Sequence, residues 1–377
     1  MQTFREIKGN FGFGCMRLPL LEDKTVDQKV FQEMVDMFIG AGFNYFDTAH
    51  GYLDGESEKA IKTGLTSRYP RSAYLLTDKL SHPYFSKQED IRPLFEKQLE
   101  LCGVEYFDFY LMHSQGRSNY EQYQRCRAYE TAFELKKEGK IRHVGLSFHD
   151  TADFLEKILT DHPDVEIVQI QLNYIDWDDP AVQSARLLEV CRRHNKPVIV
   201  MEPVKGGNLV NLPQKARDIV TALDRGSAAA LALRFAASCD PVVMTLSGMG
   251  STQMMEDNIS AMKNFRPLDE AERQAVKDIV AVLKGQGLIG CTQCSYCTAG
   301  CPRKINIPEI FSLCNTNKMF NDWNAGFYYN AVVTKGAGKA SDCVRCGKCE
   351  QICPQHLPIR DLLVEAAKLF ERGGGED

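Results

Sequence analysis

The chain has 377 residues, a formal net charge of −5 and a hydrophobic fraction of 44%, a balance that excludes intrinsic disorder as its main state. No stretch approaches the roughly 18 consecutive apolar residues of a membrane span, and the slightly acidic balance gives no sign of a nucleic-acid surface. The first residues contain no apolar segment of the secretory kind, so the sequence predicts a cytoplasmic protein.

Short apolar segments alternate with segments of helical period over the first 265 residues. The predicted strands are residues 11–16, 44–49, 74–80, 108–114, 143–148, 165–174, 197–204 and 242–248. The predicted helices are residues 27–39, 56–66, 89–102, 120–138, 151–159, 180–194, 226–238, 252–264 and 269–284. Eight strand–helix units over about 250 residues are typical of a (β/α)8 barrel. A doubly wound open sheet is the alternative, although it usually has fewer strands and a glycine-rich turn after the first one.

The segment Gly285-Gln286-Gly287 follows the last of these helices and has the composition of a hinge. We therefore predict two domains, a barrel over residues 1–284 and a smaller domain over residues 285–377.

Polar side chains stand near the ends of three neighbouring predicted strands. Asp47 closes the second strand and Tyr52 follows in its loop, while Lys79 and His113 lie near the ends of the third and fourth strands. Each alone has an ordinary explanation, as a helix cap, a solvated lysine or a histidine at the rim. The active sites of such barrels lie at the C-terminal ends of the strands, so we expect the four to meet there. An acid, a phenol, an amine and an imidazole on one face can carry out proton transfer.

Several segments resemble the aldo-keto reductases over roughly residues 10–265. They are FDTAHGYLDGESE (46–58), LLTDKL (75–80), DFYLMHS (108–114), GKIRHVGLSFH (139–149) and the segment 247–261. The resemblance implies NAD(P)H-dependent reduction of a small aldehyde or ketone. Tyr52 would donate the proton, and Lys79 would lower the pKa of Tyr52 toward the working pH. Asp47 would hold Lys79 charged, and His113 would orient the carbonyl group.

The same resemblance implies positions for the cofactor, NADP or NAD. Ser147 and Gln169 would lie near the nicotinamide carboxamide, and Met201 stands where the family often stacks an aromatic ring. The pyrophosphate and adenine would be flanked by Ser247, Gly248 and Asn258. Many NADPH-preferring members have an arginine four residues before the last of these positions. Here that residue is Met254, with two acids close behind it, so we expect a weaker preference for NADPH.

Eight of the 14 cysteines form two groups after residue 290. The groups are Cys291, Cys294, Cys297 and Cys301, then Cys343, Cys346, Cys349 and Cys353, and each is followed by proline. Both match the C-x2-C-x2-C-x3-C-P pattern that ligates [4Fe–4S] clusters. Zinc and structural disulfides are the alternatives, but the third cysteine and the Cys-Pro ending are unusual for zinc. We interpret the six scattered cysteines as small buried hydrophobic residues.

The two groups resemble the bacterial two-cluster ferredoxins, which implies two [4Fe–4S] clusters with crossed ligation. One cluster would be held by Cys291, Cys294, Cys297 and Cys353, and the other by Cys343, Cys346, Cys349 and Cys301. Together with the barrel motifs, this resembles the bacterial branch of the aldo-keto reductases that carries a C-terminal ferredoxin-like domain.

Two functional hypotheses follow. In the first, the protein is a carbonyl reductase whose clusters are accessory. In the second, it is an electron-transfer protein whose clusters exchange electrons with a partner redox protein. Hydride transfer moves two electrons together, a cluster moves one, and no flavin motif is visible to bridge them, so we favour the first. A catalytically silent barrel used as a binding scaffold is a third, weaker reading, because the four polar residues are intact.

Overall fold

A computed structural model of the chain describes residues 4–117, 119–179, 182–285, 287–291, 295–321, 325–326, 329–334, 336–353 and 355–371. Cys294 and Gln286, which the sequence singled out, lie outside these ranges. The chain divides into two compact units, Met1–Val210 with Arg225–Arg273, and Asn211–Asp224 with Gln274–Asp377. The domain boundary after residue 284 stays a prediction. Within the described ranges, none of the helices combines the length and the apolar character needed to cross a membrane.

The strands of the first unit close into a parallel barrel in which each strand pairs with its neighbours in sequence and β8 pairs with β1. They are β1 (Phe11–Gly14), β2 (Tyr45–Asp47), β3 (Leu75–Leu80), β4 (Phe107–Gln115), β5 (Ile141–Phe148), β6 (Ile167–Gln171), β7 (Val198–Met201) and β8 (Val242–Gly248). The predicted (β/α)8 barrel is therefore confirmed, and the open-sheet alternative is wrong.

Helices follow the strands around the barrel and continue into the second unit. They are α1 (Gln28–Gly40), α2 (Glu56–Ile61), α3 (Ile91–Cys102), α4 (Tyr120–Arg125), α5 (Ala128–Lys137), α6 (Ala152–Asp161), α7 (Ser184–Arg193), α8 (Gln214–Leu223), α9 (Ala228–Ala237), α10 (Thr252–Lys263) and α11 (Glu270–Lys284). The single helix predicted over 120–138 is two helices, because Arg127 has a left-handed backbone (φ 49°) that ends the first of them. Helix α8 was not predicted.

The inside of the barrel is filled by alternate residues of each strand, because successive side chains of a strand point to opposite faces. These inward residues form one apolar cluster: Tyr45, Leu75, Phe109, Leu111, Ile167, Ile199, Met244 and Leu246, with Phe4. Gly145 also faces inward, where a Cβ atom would lie 2.6 Å from a methyl group of Leu111. The residues that follow this inward series toward the C-terminal ends of the strands form the site described below.

The outward side chains pack against the helices. Phe13 of β1 lies 5.8 Å from Phe31 of α1, and Phe46 of β2 lies 5.2 Å from Phe38, measured between ring centroids. All four are fully buried. Burying each such side chain contributes about 1.5–3 kcal/mol, so this layer stabilises the barrel that supports the site.

The second unit has its own small core. Beyond α8 and α11, it contains α12 (Tyr296–Ala299), α13 (Ile307–Phe320), α14 (Lys348–Ile352) and α15 (Ile359–Phe370). Ile310 and Phe311 of α13 pack in one apolar cluster with Leu363 of α15. Cys297 and Cys349 are buried in the same cluster, so this core brings the two cysteine groups together.

Candidate active site and cysteine cavities

Lys79 is the centre of the barrel site. Its side chain is fully buried, and its Nζ atom donates to Asp47 Oδ1 at 2.6 Å and to the Thr48 carbonyl oxygen at 2.7 Å. The hydroxyl oxygen of Tyr52 lies 3.3 Å from the same nitrogen. The three protons of the ammonium group therefore have three oxygen partners. Asp47 and Lys79 both continue the inward series, on β2 and β3.

The loop after β2 presents Tyr52 through an unusual backbone. Gly51 and Gly55 have positive φ, and so do Leu53 (φ 54°) and Asp54 (φ 55°) between them. Left-handed backbone is uncommon for residues other than glycine and is tolerated where the surroundings hold it in place. This turn brings the phenol of Tyr52 back over Lys79.

Burial and charge set the protonation of this group. Burial by itself would lower the pKa of Lys79, but the Asp47 carboxylate and Tyr52 outweigh it, so the pKa lies above its ordinary value and the ammonium stays charged. Burial raises the pKa of Tyr52, and the opposing effect of Lys79 offsets only part of that rise. Lys79 thus acts in the expected direction, but the expected net lowering of the Tyr52 pKa is wrong. At neutral pH the phenol keeps its proton.

His113 faces Tyr52, with ring centroids 5.8 Å apart. Its Nδ1 atom lies 2.6 Å from the hydroxyl oxygen of Ser81. Burial lowers the pKa of His113 well below its ordinary value, and the positive charges of Lys79 and neighbouring histidines add to that effect. The imidazole is therefore neutral, with one ring nitrogen that donates and one that accepts a hydrogen bond.

The residues expected near the nicotinamide lie at inward positions of β5, β6 and β7. Gln169 Nε2 donates to Asp47 Oδ2 at 3.0 Å, so this amide is held by the same carboxylate that holds Lys79. The Ser147 hydroxyl oxygen accepts from the backbone N–H of Ser114 at 2.8 Å. Met201 ends β7 and is half-buried.

The residues expected near the pyrophosphate and adenine form a separate group around β8 and α10. Asn258 Nδ2 donates to the hydroxyl oxygen of Ser247 at 3.0 Å, and both side chains are buried. Gly248 ends β8 and is partly exposed. Met254 lies in the first turn of α10 with 55% of its surface exposed.

Several polar residues beside the site were not singled out from the sequence. Ser81 is one, and its place two residues after Lys79, on the same face of the strand, was the available signal.

Another group is the buried carboxyl pair of Glu58 and Asp78, on the outer side of β3. A carboxylate oxygen of each and the sulfur of Cys102 lie within 4.8 Å of one another. Burial raises the pKa of Glu58 to about 7, and burial and Glu58 raise that of Asp78 well above its ordinary value. The pair therefore holds a proton at neutral pH.

The cysteines of the second unit line two cavities. Cys301 lines one cavity together with the first three cysteines of the later group, Cys343, Cys346 and Cys349. A second cavity is lined by Cys291, Cys297 and Cys353. The backbone N–H of Ile305 donates to Cys301 Sγ at 3.5 Å. The sulfur donor sets fit [4Fe–4S] clusters, and the structure brings the fourth cysteine of each group to the other group.

Comparisons with known proteins agree with this architecture. The model of the Aldo/keto reductase family matches residues 10–281, and that of the 4Fe-4S dicluster domain matches residues 290–358. The 9,11-endoperoxide prostaglandin H2 reductase of Trypanosoma cruzi is 27% identical over 170 residues, which are 45% of this chain and 55% of that protein. The NADH-specific methylglyoxal reductase of Escherichia coli is 28% identical over 185 residues, 45% of this chain and 54% of that protein. The chain thus spans about half the length of these two relatives.

Among solved structures, the aldo-keto reductase of Klebsiella pneumoniae in complex with NADPH superposes with a TM-score of 0.59 and 20% sequence identity. The superposition covers 72% of this chain and 90% of that chain, and at this identity it shows the shared fold alone. The family match over residues 10–281, in a closed barrel of eight parallel strands, shows that the chain belongs to the aldo/keto reductase family and carries a 4Fe-4S ferredoxin-like domain after the barrel.

Proposed function

We propose that the protein reduces an aldehyde or ketone with NADPH or NADH, and that Tyr52 is the proton donor. The observation that carries this proposal is the position of the Lys79 ammonium between Asp47, at 2.6 Å, and the Tyr52 hydroxyl, at 3.3 Å. A buried ammonium with both partners at the C-terminal end of the barrel is suited to stabilise a phenolate that forms as a proton leaves.

Each residue then has a defined task. The reduced nicotinamide, when bound, would supply a hydride to the carbonyl carbon. Tyr52 transfers its hydroxyl proton to the carbonyl oxygen, which completes the alcohol, and the charge left on the phenolate is stabilised by Lys79. Asp47 keeps Lys79 charged and in place. The neutral His113 orients the carbonyl oxygen by donating an N–H hydrogen bond. Because its ring is uncharged, it does not compete with Tyr52 as the group that gives up a proton.

We propose that the cofactor lies along two groups of residues. Ser147, Gln169 and Met201 would hold the nicotinamide end, and Ser247, Gly248 and Asn258 the pyrophosphate and adenine end. Support for the first group comes from Gln169, whose amide contacts Asp47 and so lies directly beside Lys79.

The choice between the two nicotinamide cofactors turns on Met254. Its exposed, uncharged side chain offers no cation to a 2′-phosphate, so we propose a weaker preference for NADPH than in members with an arginine there. The names of the relatives agree with either cofactor, because the Escherichia coli relative is called NADH-specific and the Klebsiella pneumoniae structure holds NADPH.

We propose that two [4Fe–4S] clusters occupy the second unit with crossed ligation. Cys301 would complete the cluster of Cys343, Cys346 and Cys349, and Cys353 would complete that of Cys291, Cys294 and Cys297. The grouping of the described cysteines around the two cavities supports this assignment. The clusters are accessory to carbonyl reduction and belong to a ferredoxin-like domain over residues 285–377. A cytoplasmic location suits cysteines that must stay reduced to bind iron.

One observation favours electron transfer to a partner redox protein as a second candidate function. Cys346 is exposed, and the nearby Val344 has 53% of its surface exposed. A cluster bound there would lie close to the surface, within reach of a partner.

The primary proposal is tested by following NADPH and NADH oxidation, under anaerobic conditions, with a panel of aldehydes and ketones. Tyr52→Phe should lower the reduction rate by about 10²–10⁴-fold, as expected when a general acid is lost, with cofactor affinity unchanged. Tyr69→Phe is the matched control, because it also removes a tyrosine hydroxyl but outside the site. The Tyr69 hydroxyl donates to Asp36 Oδ1 at 2.6 Å on the outer face of the barrel. A Tyr52→Phe protein that turns over at the parental rate would remove Tyr52 from the mechanism.

A further inference from the structure

Ser81 stands where the register of two strands sets it against His113. Strands β3 and β4 pair in parallel with Lys79 opposite Leu111 and Leu80 opposite Met112. Continued by one residue, the same register sets Ser81 opposite His113, and both follow the inward series of their strands. The contact is short, 2.6 Å from the Ser81 hydroxyl oxygen to His113 Nδ1, and Ser81 is only 3% exposed.

The ends of the two strands are tied together beside this contact. The hydroxyl oxygen of Tyr123 lies 2.6 Å from the Leu80 carbonyl oxygen and 3.0 Å from the His113 carbonyl oxygen. Tyr123 itself is fully buried. One buried side chain therefore links the backbone at Leu80, next to Ser81, to the backbone at His113.

The length of the contact favours the Ser81 hydroxyl as the donor. A serine hydroxyl has one proton, and the acceptors within reach of Ser81 are His113 Nδ1 at 2.6 Å and the His50 carbonyl oxygen at 3.5 Å. The 2.6 Å contact is shorter than the about 2.7–3.2 Å usual for N–H donors and lies within the range for O–H donors, so its length favours a proton shared from Ser81 to Nδ1 over one donated to the His50 carbonyl oxygen. A neutral imidazole that accepts at Nδ1 carries its own proton on Nε2.

We propose that Ser81 is a positioning residue that donates to His113 Nδ1 and thereby fixes the ring orientation and the Nε2–H tautomer, whose N–H points the hydrogen bond at the substrate carbonyl oxygen. This inference rests on the proposed carbonyl reduction for its kinetic consequence. The tautomer itself is a property of the protein and is measured without any carbonyl substrate.

The tautomer is read from the ¹⁵N resonances of the His113 ring in the cofactor-bound, histidine-labelled full chain, assigned by their loss in His113→Gln. We expect a protonated Nε2 and an unprotonated Nδ1 that is shifted by its hydrogen bond. In Ser81→Ala the Nδ1 resonance should move toward that of a nitrogen without a hydrogen-bond donor, and Ser81→Thr should restore the parental position. A proton found on Nδ1 in the parent protein would overturn the proposal, whatever the variants do.

Kinetics supply the second readout. Ser81→Ala should lower kcat/KM for the carbonyl substrate about tenfold, the equivalent of one lost hydrogen bond, while the dissociation constant of the nicotinamide cofactor stays unchanged. Ser81→Thr should recover most of that loss. Ser238→Ala is the matched control, because the Ser238 hydroxyl also donates a hydrogen bond, to the Arg234 carbonyl oxygen at 2.6 Å, but lies before β8 at the opposite end of the barrel.

The outcomes separate the two proposals. A parental kcat/KM in Ser81→Ala, with Tyr52→Phe inactive, would overturn the role of Ser81 and leave the proposed function intact. A parent protein that reduces no carbonyl compound would overturn the proposed function, while the ¹⁵N measurement still decides whether Ser81 fixes the tautomer.

Discussion

The barrel site and the cysteine cavities are organised in opposite ways. In the barrel, Lys79 has three oxygen partners within 3.3 Å, all supplied by the protein, and Gln169 holds the other oxygen of Asp47. In the second unit, the described cysteines of the two groups instead line two cavities. A site that satisfies its own polar groups is formed before any ligand arrives. In the proposed function the cysteine thiolates are joined by metal, which would couple folding of the second unit to cluster binding.

This contrast leads us to expect that changes inside the barrel site alter rate without unfolding the chain. Changes at the cysteines should instead alter iron content, with little effect on the barrel. The following predictions test that division.

Lys79→Met should have the largest effect. Loss of the ammonium removes the group that lowers the pKa of Tyr52, so that pKa rises further and the phenolate becomes harder to form. The rate of reduction should fall by about 10²–10⁴-fold, and the alkaline limb of the pH–rate profile should move to higher pH. A profile that superimposes on the parental one would show that Lys79 does not act on Tyr52.

Two further proteins control for folding in that experiment. Removing one partner of a buried ion pair costs about 3–5 kcal/mol because the other charge is left without compensation. The double variant Lys79→Met with Asp47→Asn removes both charges and should melt closer to the parent while staying inactive. Lys59→Met changes an exposed lysine and should leave rate and stability unchanged.

Met254→Arg should change cofactor choice by a smaller factor. A guanidinium at this exposed position can form a charge-assisted hydrogen bond to the 2′-phosphate, so the affinity for NADPH relative to NADH should rise about tenfold. Met254→Gln introduces a polar side chain without charge and should change neither affinity. Equal gains for both cofactors would show that this turn of α10 does not contact the ribose phosphate.

Cys301→Ser should remove about half of the iron, because one of two clusters loses a ligand. Crossed ligation makes a pairwise prediction for electron paramagnetic resonance of the reduced protein. Cys301→Ser and Cys346→Ser should lose the same signal, and Cys353→Ser and Cys297→Ser should lose the other. If Cys301→Ser instead matches Cys297→Ser, ligation is local. Cys314→Ala, at a buried cysteine of the core, should keep both signals.

The smallest effect is expected on carbonyl reduction when both clusters are lost. The double variant Cys301→Ser with Cys353→Ser should reduce carbonyl substrates with NADPH or NADH at the parental rate. The reason is that all the contacts of Lys79 lie within the first unit. Loss of carbonyl reduction together with the clusters would favour the electron-transfer hypothesis over the accessory role.

The sequence predicts the barrel well because each strand is a short apolar segment bounded by polar turns. Strand β8 was predicted at its observed bounds, residues 242–248, and β2 was predicted too long, as 44–49 rather than Tyr45–Asp47. The break between α4 and α5 could not be predicted, because Arg127 has no compositional feature of a helix end. Helix α8 is an additional helix between β7 and α9, so the alternation of one strand with one helix gave no reason to expect it.

The candidate site was predicted in its residues and less well in its electrostatics. Spacing along β2, β3 and β4 places Asp47, Lys79 and His113 at inward positions. The pKa of Tyr52 depends on how far the folded chain excludes water from the phenol. The sequence around Tyr52 does not predict that burial. Ser81 was missed for a similar reason, because its role depends on a register between strands rather than on a motif.

The carboxyl pair of Glu58 and Asp78 makes folding of the barrel a proton-consuming process. In the unfolded chain both groups ionise near their ordinary pKa, whereas in the folded chain Glu58 ionises only at about 7 and Asp78 well above its ordinary value. At a pH between the unfolded-state and the folded-state pKa values, the folded chain binds more protons than the unfolded chain. The free energy of unfolding contributed by the pair therefore falls as the pH rises. Mild acid therefore favours the folded barrel here, opposite to the usual effect of paired carboxylates, and Asp78→Asn should flatten the dependence of the melting temperature on pH.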